Sequence, residues 1–229
     1  MKGLEVTRVN TPYKYKSSDR RVKPVELLVM HYTASPYSAK HGGSNRKRII
    51  NWMKGSGRQS STHFTVLRDG TVIQAASLDE RTWHAGGSRL VRQDGSELKG
   101  INFRSIGLDF DNVGMLYKIP EGWVDTYGYS AYKKGKKFSL YQGPKPFVHV
   151  DEKGKETYWE PYSNESVAAM QRLIYYISTH IPELVETPEC IVGHSQIKNT
   201  KSDPGPACPT GKLQEAVSSF FNPEKLTLD

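Results

Sequence analysis

The stretch VELLVMHY, residues 25–32, constrains the fold of this chain more than any other feature. Leu27, Leu28, Val29 and Met30 follow one another without a polar break. A strand with one wet face alternates apolar and polar side chains. An unbroken apolar run of strand length is covered on both faces, as in the central strands of α/β sheets. ECIV, at 189–192, is a second short run of the same kind. A histidine closes each: His31 follows Met30, and His194 follows Ile191-Val192-Gly193. Open α/β sheets bind ligands beyond the carboxyl ends of their strands, where both imidazoles would stand.

The remaining segments fit around such a sheet. After the loop TASPYSAKHGGS, Ser44 is placed to cap a helix whose apolar positions are Ile49, Ile50 and Met53. THFTVLRDGTVIQA (62–75) reads as a hairpin with Asp69-Gly70 as a two-residue turn. SIGLDFDN (105–112) alternates: Ile106, Leu108 and Phe110 face one side, and Gly107, Asp109 and Asp111 the other. Two carboxylates on one face of a central strand are costly unless that face lines a cleft. Ser163 caps an amphipathic helix with Met170, Leu173, Ile174, Ile177 and Ile181 in one stripe. A last helix follows Thr210, with Leu213, Val217, Phe220 and Phe221 on one side.

Residues 113–160 differ in texture, being rich in Gly, Lys and Tyr and closing on a hairpin, FVHVDEKGKETYWEPY. They read as a β-rich insertion, too short for a substantial core. The expected organisation is an N-terminal extension (1–24), one α/β domain (25–221) holding a central mixed β-sheet flanked by helices, and a C-terminal tail (222–229).

Composition narrows the function classes. Of the 229 residues 36% are hydrophobic, enough for a real core. No run approaches the roughly 18 apolar residues of a membrane-spanning helix. The first residues, MKGLEVTRVN, carry no apolar signal region, so synthesis in the cytoplasm without a signal peptide is expected. The net charge of +8 favours a polyanionic partner without choosing among nucleic acid, acidic wall polymer and anionic lipid. No zinc-finger spacing, RNA-binding motif or recognition helix supports nucleic acid. Cys190 and Cys208 form no CxxC pair and are too few for a disulfide scaffold, and two reduced thiols are the expected state.

The chemistry gathers in GHSQIKNTKSDPGPACP, residues 193–209, where His194, Lys201 and Asp203 fall within ten residues. His31, His194 and Asp203 would make an open zinc site of two imidazoles and one carboxylate with room for water. Spacing alone leaves His41, His63 and His84 as rival ligands, and a strand-end histidine is more often a packing or surface residue.

LLVMHYTAS, STHFTVLRDGTVIQ, TWHAG, SIGLDFDN and GHSQIKNTKSDPGP, taken together and in this order, resemble the zinc-dependent N-acetylmuramoyl-L-alanine amidase family. The family includes cytoplasmic anhydro-muropeptide amidases, phage lysozyme-type amidases and catalytic peptidoglycan recognition proteins. The resemblance runs from about residue 25 to 221, broken by the insertion. It implies an amidase or recognition-protein-like fold, with His31, His194 and Asp203 as zinc ligands and Lys201 beside the metal. It further implies hydrolysis of the amide between N-acetylmuramic acid and L-alanine in peptidoglycan or muropeptides; a monomer is the expected state of the chain. Cation and metal would stabilise the tetrahedral oxyanion.

A general base is needed as well. Relatives place a Glu at the position of Asp109, one methylene longer. Asp109 therefore acts as base, shares the task with Asp111, or orients a ligating histidine. Some phage relatives use a Tyr where Thr62 stands, and that solution is closed here. His84 in TWHAG is expected at the cleft, touching substrate, and His63 in the hairpin core. A non-catalytic wall-binding module is the alternative function. A phage endolysin, reaching the wall after lysis or holin-type export, and a bacterial enzyme acting on cytoplasmic muropeptides both fit a basic chain without a signal.

Overall fold

The computed structural model describes residues 6–15, 24–56, 59–181, 184 and 188–221, with 217–221 described by backbone alone. The expected C-terminal tail, part of the N-terminal extension, and the side chains of Val217, Phe220 and Phe221 lie outside the described residues. In chain order the strands are β1 (Val6–Arg8), β2 (Leu27–Tyr32), β3 (Phe64–Val66), β4 (Val72–Gln74), β5 (Arg89–Val91), β6 (Glu97–Lys99), β7 (Ser105–Phe110), β8 (Met115–Ile119), β9 (Gly122–Asp125), β10 (Phe147–Val150), β11 (Glu156–Trp159) and β12 (Ile191–Gly193). The helices are α1 (Arg46–Asn51), α2 (Thr126–Lys133), α3 (Asn164–His180), α4 (His194–Ile197) and α5 (Thr210–Phe221).

Six strands form the central sheet in the order β1-β4-β3-β7-β2-β12. β12, β2, β7 and β3 run parallel, while β3 and β4 pair antiparallel, so the sheet is mixed. β2 and β7 sit inside it, and their unbroken burial answers the unbroken apolar run of β2. One face is covered continuously. Leu28, Met30, Phe64, Ile106, Leu108 and Phe110 pack beneath Met170, Leu173, Ile174 and Ile177 of α3 and Leu213 of α5. The other face is covered in two patches. Leu27, Val29 and Val192 pack with Ala85, Leu98, Ile101 and Ile197, and Ile73 packs with Ile49, Met53 and Leu67. His31 and Asp109, register partners at the C-terminal ends of β2 and β7, belong to neither patch. That polar break in the apolar cover is the floor of the site.

Two local expectations shift by a residue. Asn45, not Ser44, caps α1: its side chain accepts from the Arg48 N–H. Ser44 Oγ instead accepts from the Arg68 N–H at 3.0 Å. A polar side chain before a helix satisfies whichever donor its backbone aims at, and here that donor belongs to the hairpin. The hairpin loop spans three residues rather than two. Leu67 N–H donates to Thr71 O, and Gly70 closes the loop at φ 84, a left-handed conformation that glycine adopts at little cost. Ser163 caps α3 as expected, accepting from Ser166 N–H, and its hydroxyl also donates to Arg68 O at 2.5 Å.

Residues 115–159 form a second, four-stranded antiparallel sheet, β10-β11-β8-β9, with α2 beside it. Leu116, Ile119, Val124 and Trp159 are buried there, while Phe147, Val148 and Val150 of β10 are exposed. The two ends of this segment are tied together. Glu160 N–H donates to Gly114 O at 3.0 Å, Val113 N–H donates to Glu160 Oε2 at 2.5 Å, and Asn112 Nδ2 donates to Glu160 O at 3.2 Å. Among the described residues no helix is long and apolar enough to cross a membrane.

Candidate active site

His31 is set by β2, whose apolar residues pin the backbone on both sides. His194 is the first residue of α4 and directly follows β12. Because β12 pairs with β2, the two imidazoles meet, ring centroids 4.6 Å apart. Asp203 is carried back to them by a tethered loop. Lys201 N–H donates to Lys198 O at 3.0 Å, and Ser195 N–H donates to Asp203 O at 2.9 Å. Pro204 and Pro206 stiffen the return, lowering the entropy cost of closing the loop.

The three side chains converge on one atom. Asp203 Oδ2 lies 2.7 Å from His31 Nδ1 and 3.0 Å from His194 Nδ1. Among the described residues this is the one cluster of three or more such donors, their ligand atoms all within 4.8 Å of one another. A tetrahedral ion with bonds of about 2.0–2.1 Å spaces its ligands about 3.3 Å apart, so Asp203 Oδ2 stands a few tenths of an ångström closer to each imidazole than a bound ion would set it. His194 Nε2 is buried without a hydrogen-bond partner, so the ring is anchored only through the side facing Asp203. Two imidazoles and a carboxylate suit a divalent metal of the zinc type. Burial lowers the pKa of His31, which keeps the ring in the neutral form that ligates. Burial alone would raise the Asp203 carboxyl. Hydrogen bonds with His194 and His31 outweigh it and hold that carboxyl far below its usual range.

A cavity of about 580 Å³ opens over this cluster. Asp109, Thr62 and His84 line it beside the histidines, and Lys201, Trp52 and Tyr127 also line its walls. Asp109 is 3% exposed, and burial pushes its carboxyl up to about 7 against the restraint of a hydrogen bond from Thr62, with Asp203 and Asp111 adding repulsion. Thr62 Oγ1 donates to Asp109 Oδ2 at 2.7 Å. No sequence pattern signals this bond, because Thr62 precedes β3 by two residues and lies 47 residues from its partner.

The other expected residues separate clearly. Asp111 does not face the cavity. It pairs with Arg68, Nη1 to Oδ2 at 2.8 Å, and accepts from Thr33 Oγ1. His84 borders the cavity with both nitrogens engaged: Nδ1 lies 3.1 Å from His31 Nε2, and Nε2 lies 3.2 Å from Ser105 Oγ. His63 is fully buried in the hairpin, its Nδ1 accepting from Gly107 N–H and its Nε2 beside Glu80 O. His41 sits in an exposed turn at 39–41. Neither belongs to the donor cluster. Lys201 is exposed at the cavity wall. Cys190 and Cys208 are both free thiols.

The model of one family, described as N-acetylmuramoyl-L-alanine amidase, matches residues 21–206. The chain belongs to the N-acetylmuramoyl-L-alanine amidase family. It is an amide hydrolase of that family, and the matched span runs from before β2 to beyond Asp203, enclosing every residue of the site. No curated protein sequence matches the chain. Solved structures share the fold. AmpD, as a selenomethionine derivative, is 19% identical over 93% of this chain and 94% of its own, with a TM-score of 0.54. AmpDh3 from Pseudomonas aeruginosa is 22% identical, covering 92% of this chain and 63% of that one, with a TM-score of 0.52. AmiD from E. coli, in complex with the substrate anhydro-N-acetylmuramic acid-L-Ala-D-γ-Glu-L-Lys, is 20% identical over 84% of this chain and 57% of its own, with a TM-score of 0.51.

Proposed function

We propose that the protein is a zinc-dependent amidase that cleaves the bond between the lactyl group of N-acetylmuramic acid and L-alanine, in peptidoglycan or in muropeptides released from it. The observation that carries this reading is the convergence of His31 Nδ1 and His194 Nδ1 on Asp203 Oδ2 beneath an open cavity, with an uncharged-prone carboxyl beside it. His31, His194 and Asp203 would hold the zinc. When bound, it supplies the Lewis acidity that polarises the scissile carbonyl and brings a water toward a pKa of about 7.

The chain's own groups do the rest. Asp109 takes the proton of the attacking water. In the metal-free protein burial lifts its carboxyl to about 7, in the range useful to a base near neutral pH, and Thr62 Oγ1 donates to its Oδ2. Lys201 places a cation at the wall, where the tetrahedral oxyanion develops negative charge. His84 holds the outer nitrogen of His31, and its ring borders the substrate space. Asp111, neutralised by Arg68, takes no part in proton transfer.

Incubation of a muropeptide with the wild type should release one new free α-amine on L-alanine, read by mass spectrometry. His194→Ala should release none. A His194→Ala variant that cleaves at the wild-type rate overturns the reading. The same digests, run in parallel on intact sacculi and on soluble anhydro-muropeptides, tell whether the enzyme serves wall lysis or muropeptide recycling.

A further inference from the structure

The cluster that holds the proposed zinc is gripped from outside by the root of the 113–160 insertion. Asp203 stands between Ser202 and Pro204: Ser202 bonds Tyr32 of β2, whose ring rests on Gly114 of the insertion, Pro204 bonds Tyr162 just after the insertion, and Gly205 meets Trp159 within it. On one side, Tyr32 OH lies 2.9 Å from Ser202 Oγ. The Tyr32 ring packs against Gly114, where no side chain would fit. On the other side, Tyr162 OH donates to Pro204 O at 2.7 Å, and the Tyr162 ring packs against Phe110 with centroids 4.6 Å apart. Trp159, 5% exposed at the end of β11, covers Gly205 so closely that a Cβ there would lie 2.5 Å from the indole. Gly205 also has φ 76, so a larger residue would be strained as well as blocked. Pro204 closes against Gly193, the residue before His194.

The root itself is rigid. Glu160 accepts from Arg68 through both oxygens, at 2.7 and 2.8 Å, and also holds the Val113 N–H. Arg68 is further anchored to Gly43 O and Ser35 O. An isolated Asp-Pro-Gly turn is free to swing its carboxylate away from two histidines. Here Gly114, Trp159 and Tyr162 fix both flanks of the turn to one buried, ion-paired junction.

We infer that the insertion and the Pro161-Tyr162 segment that leads out of it serve together as a brace for the metal site, with Trp159 and Tyr162 as positioning residues that set the Asp203 arm. This rests on the zinc reading proposed above. Residues that orient a ligand typically change metal affinity by about 10–100-fold when removed. Tyr162→Phe keeps the ring and deletes only the bond to Pro204, so the fold is preserved. Trp159→Leu opens the space over Gly205. Val148→Ala, on the exposed β10, alters the insertion away from its root.

The test is zinc affinity by competition with a chromophoric chelator, with thermal unfolding of the metal-free proteins measured alongside. Tyr162→Phe is expected to bind zinc about 10-fold more weakly. Trp159→Leu is expected to lose at least as much, and Val148→Ala to match the wild type. With zinc in excess, Tyr162→Phe should recover turnover with an unchanged KM. If Tyr162→Phe and Trp159→Leu bind zinc as tightly as wild type and differ only in metal-free stability, the brace is overturned while the zinc reading stands. If the wild type itself binds no zinc, both are overturned.

Discussion

Asp109 stands 3% exposed, where the family resemblance implies a longer carboxylate. It is the register partner of His31 on the neighbouring strand, and it lines the cavity. Its role separates in experiment from that of an orienting group. Asp109→Asn should retain zinc and lose about 10²–10⁴ in kcat, the range for a general base, whereas loss of zinc would mark it as an orienting carboxylate. The raised carboxyl also has a consequence for stability. Between about 4 and about 7 the folded protein keeps a proton on Asp109 that the unfolded chain has released. Its contribution therefore weakens as pH rises through that window. In the metal-free protein, thermal unfolding of Asp109→Asn relative to wild type should improve steadily from pH 4 to 7 and level off above, by up to about 4 kcal/mol. Lys201→Ala should lower kcat by about 10²–10³ with zinc retained, as expected for a lost oxyanion contact. A steady-state comparison with zinc-loaded wild type reads this directly.

At the scale of elements, legibility followed pattern strength. β2 and β12 were readable because consecutive apolar residues admit one interpretation, and β7 because its alternation was clean. The α3 stripe of Met170, Leu173, Ile174 and Ile177 was readable for the same reason, and all four are buried under the sheet. Leu173→Ala should accordingly cost about 2–5 kcal/mol in denaturant unfolding, as for a large-to-small change in a packed core. What escaped had no periodic signal. β5 and β6 form a two-stranded hairpin of three residues each with a single inward position apiece, Leu90 and Leu98, too few to mark a pattern. β1 is an edge strand of three residues. β8, β9 and α2 lie within a Lys- and Tyr-rich stretch whose order comes from aromatic stacking, as between Tyr117 and Tyr129 at 4.3 Å, rather than from alternation. The two misplaced turn features, the α1 cap and the hairpin loop, were each decided by a backbone donor that only the folded chain brings near.

Across the whole molecule, the least legible feature is the junction of Arg68, Asp111 and Glu160. Arg68 lies beside the hairpin turn, and Glu160 is 92 residues away, so nothing local announces the pair. The junction explains how one central strand carries two carboxylates: one is neutralised by a buried guanidinium, and the other opens onto the cavity. Glu160→Ala would remove one of the two buried carboxylates that Arg68 pairs with, and a loss of about 3–5 kcal/mol is expected in equilibrium unfolding. Of the site, the cluster of His31, His194 and Asp203 was readable from two strand ends and one loop motif, read with the family resemblance. The exclusion of His63 and Asp111 required the distances. The central claim, zinc-dependent amide hydrolysis, is tested most directly by stripping the protein of metal, restoring zinc to half of it, and following muropeptide digestion in both by mass spectrometry. The account predicts a new L-alanine α-amine with zinc and none without. Equal cleavage by the two preparations would contradict it.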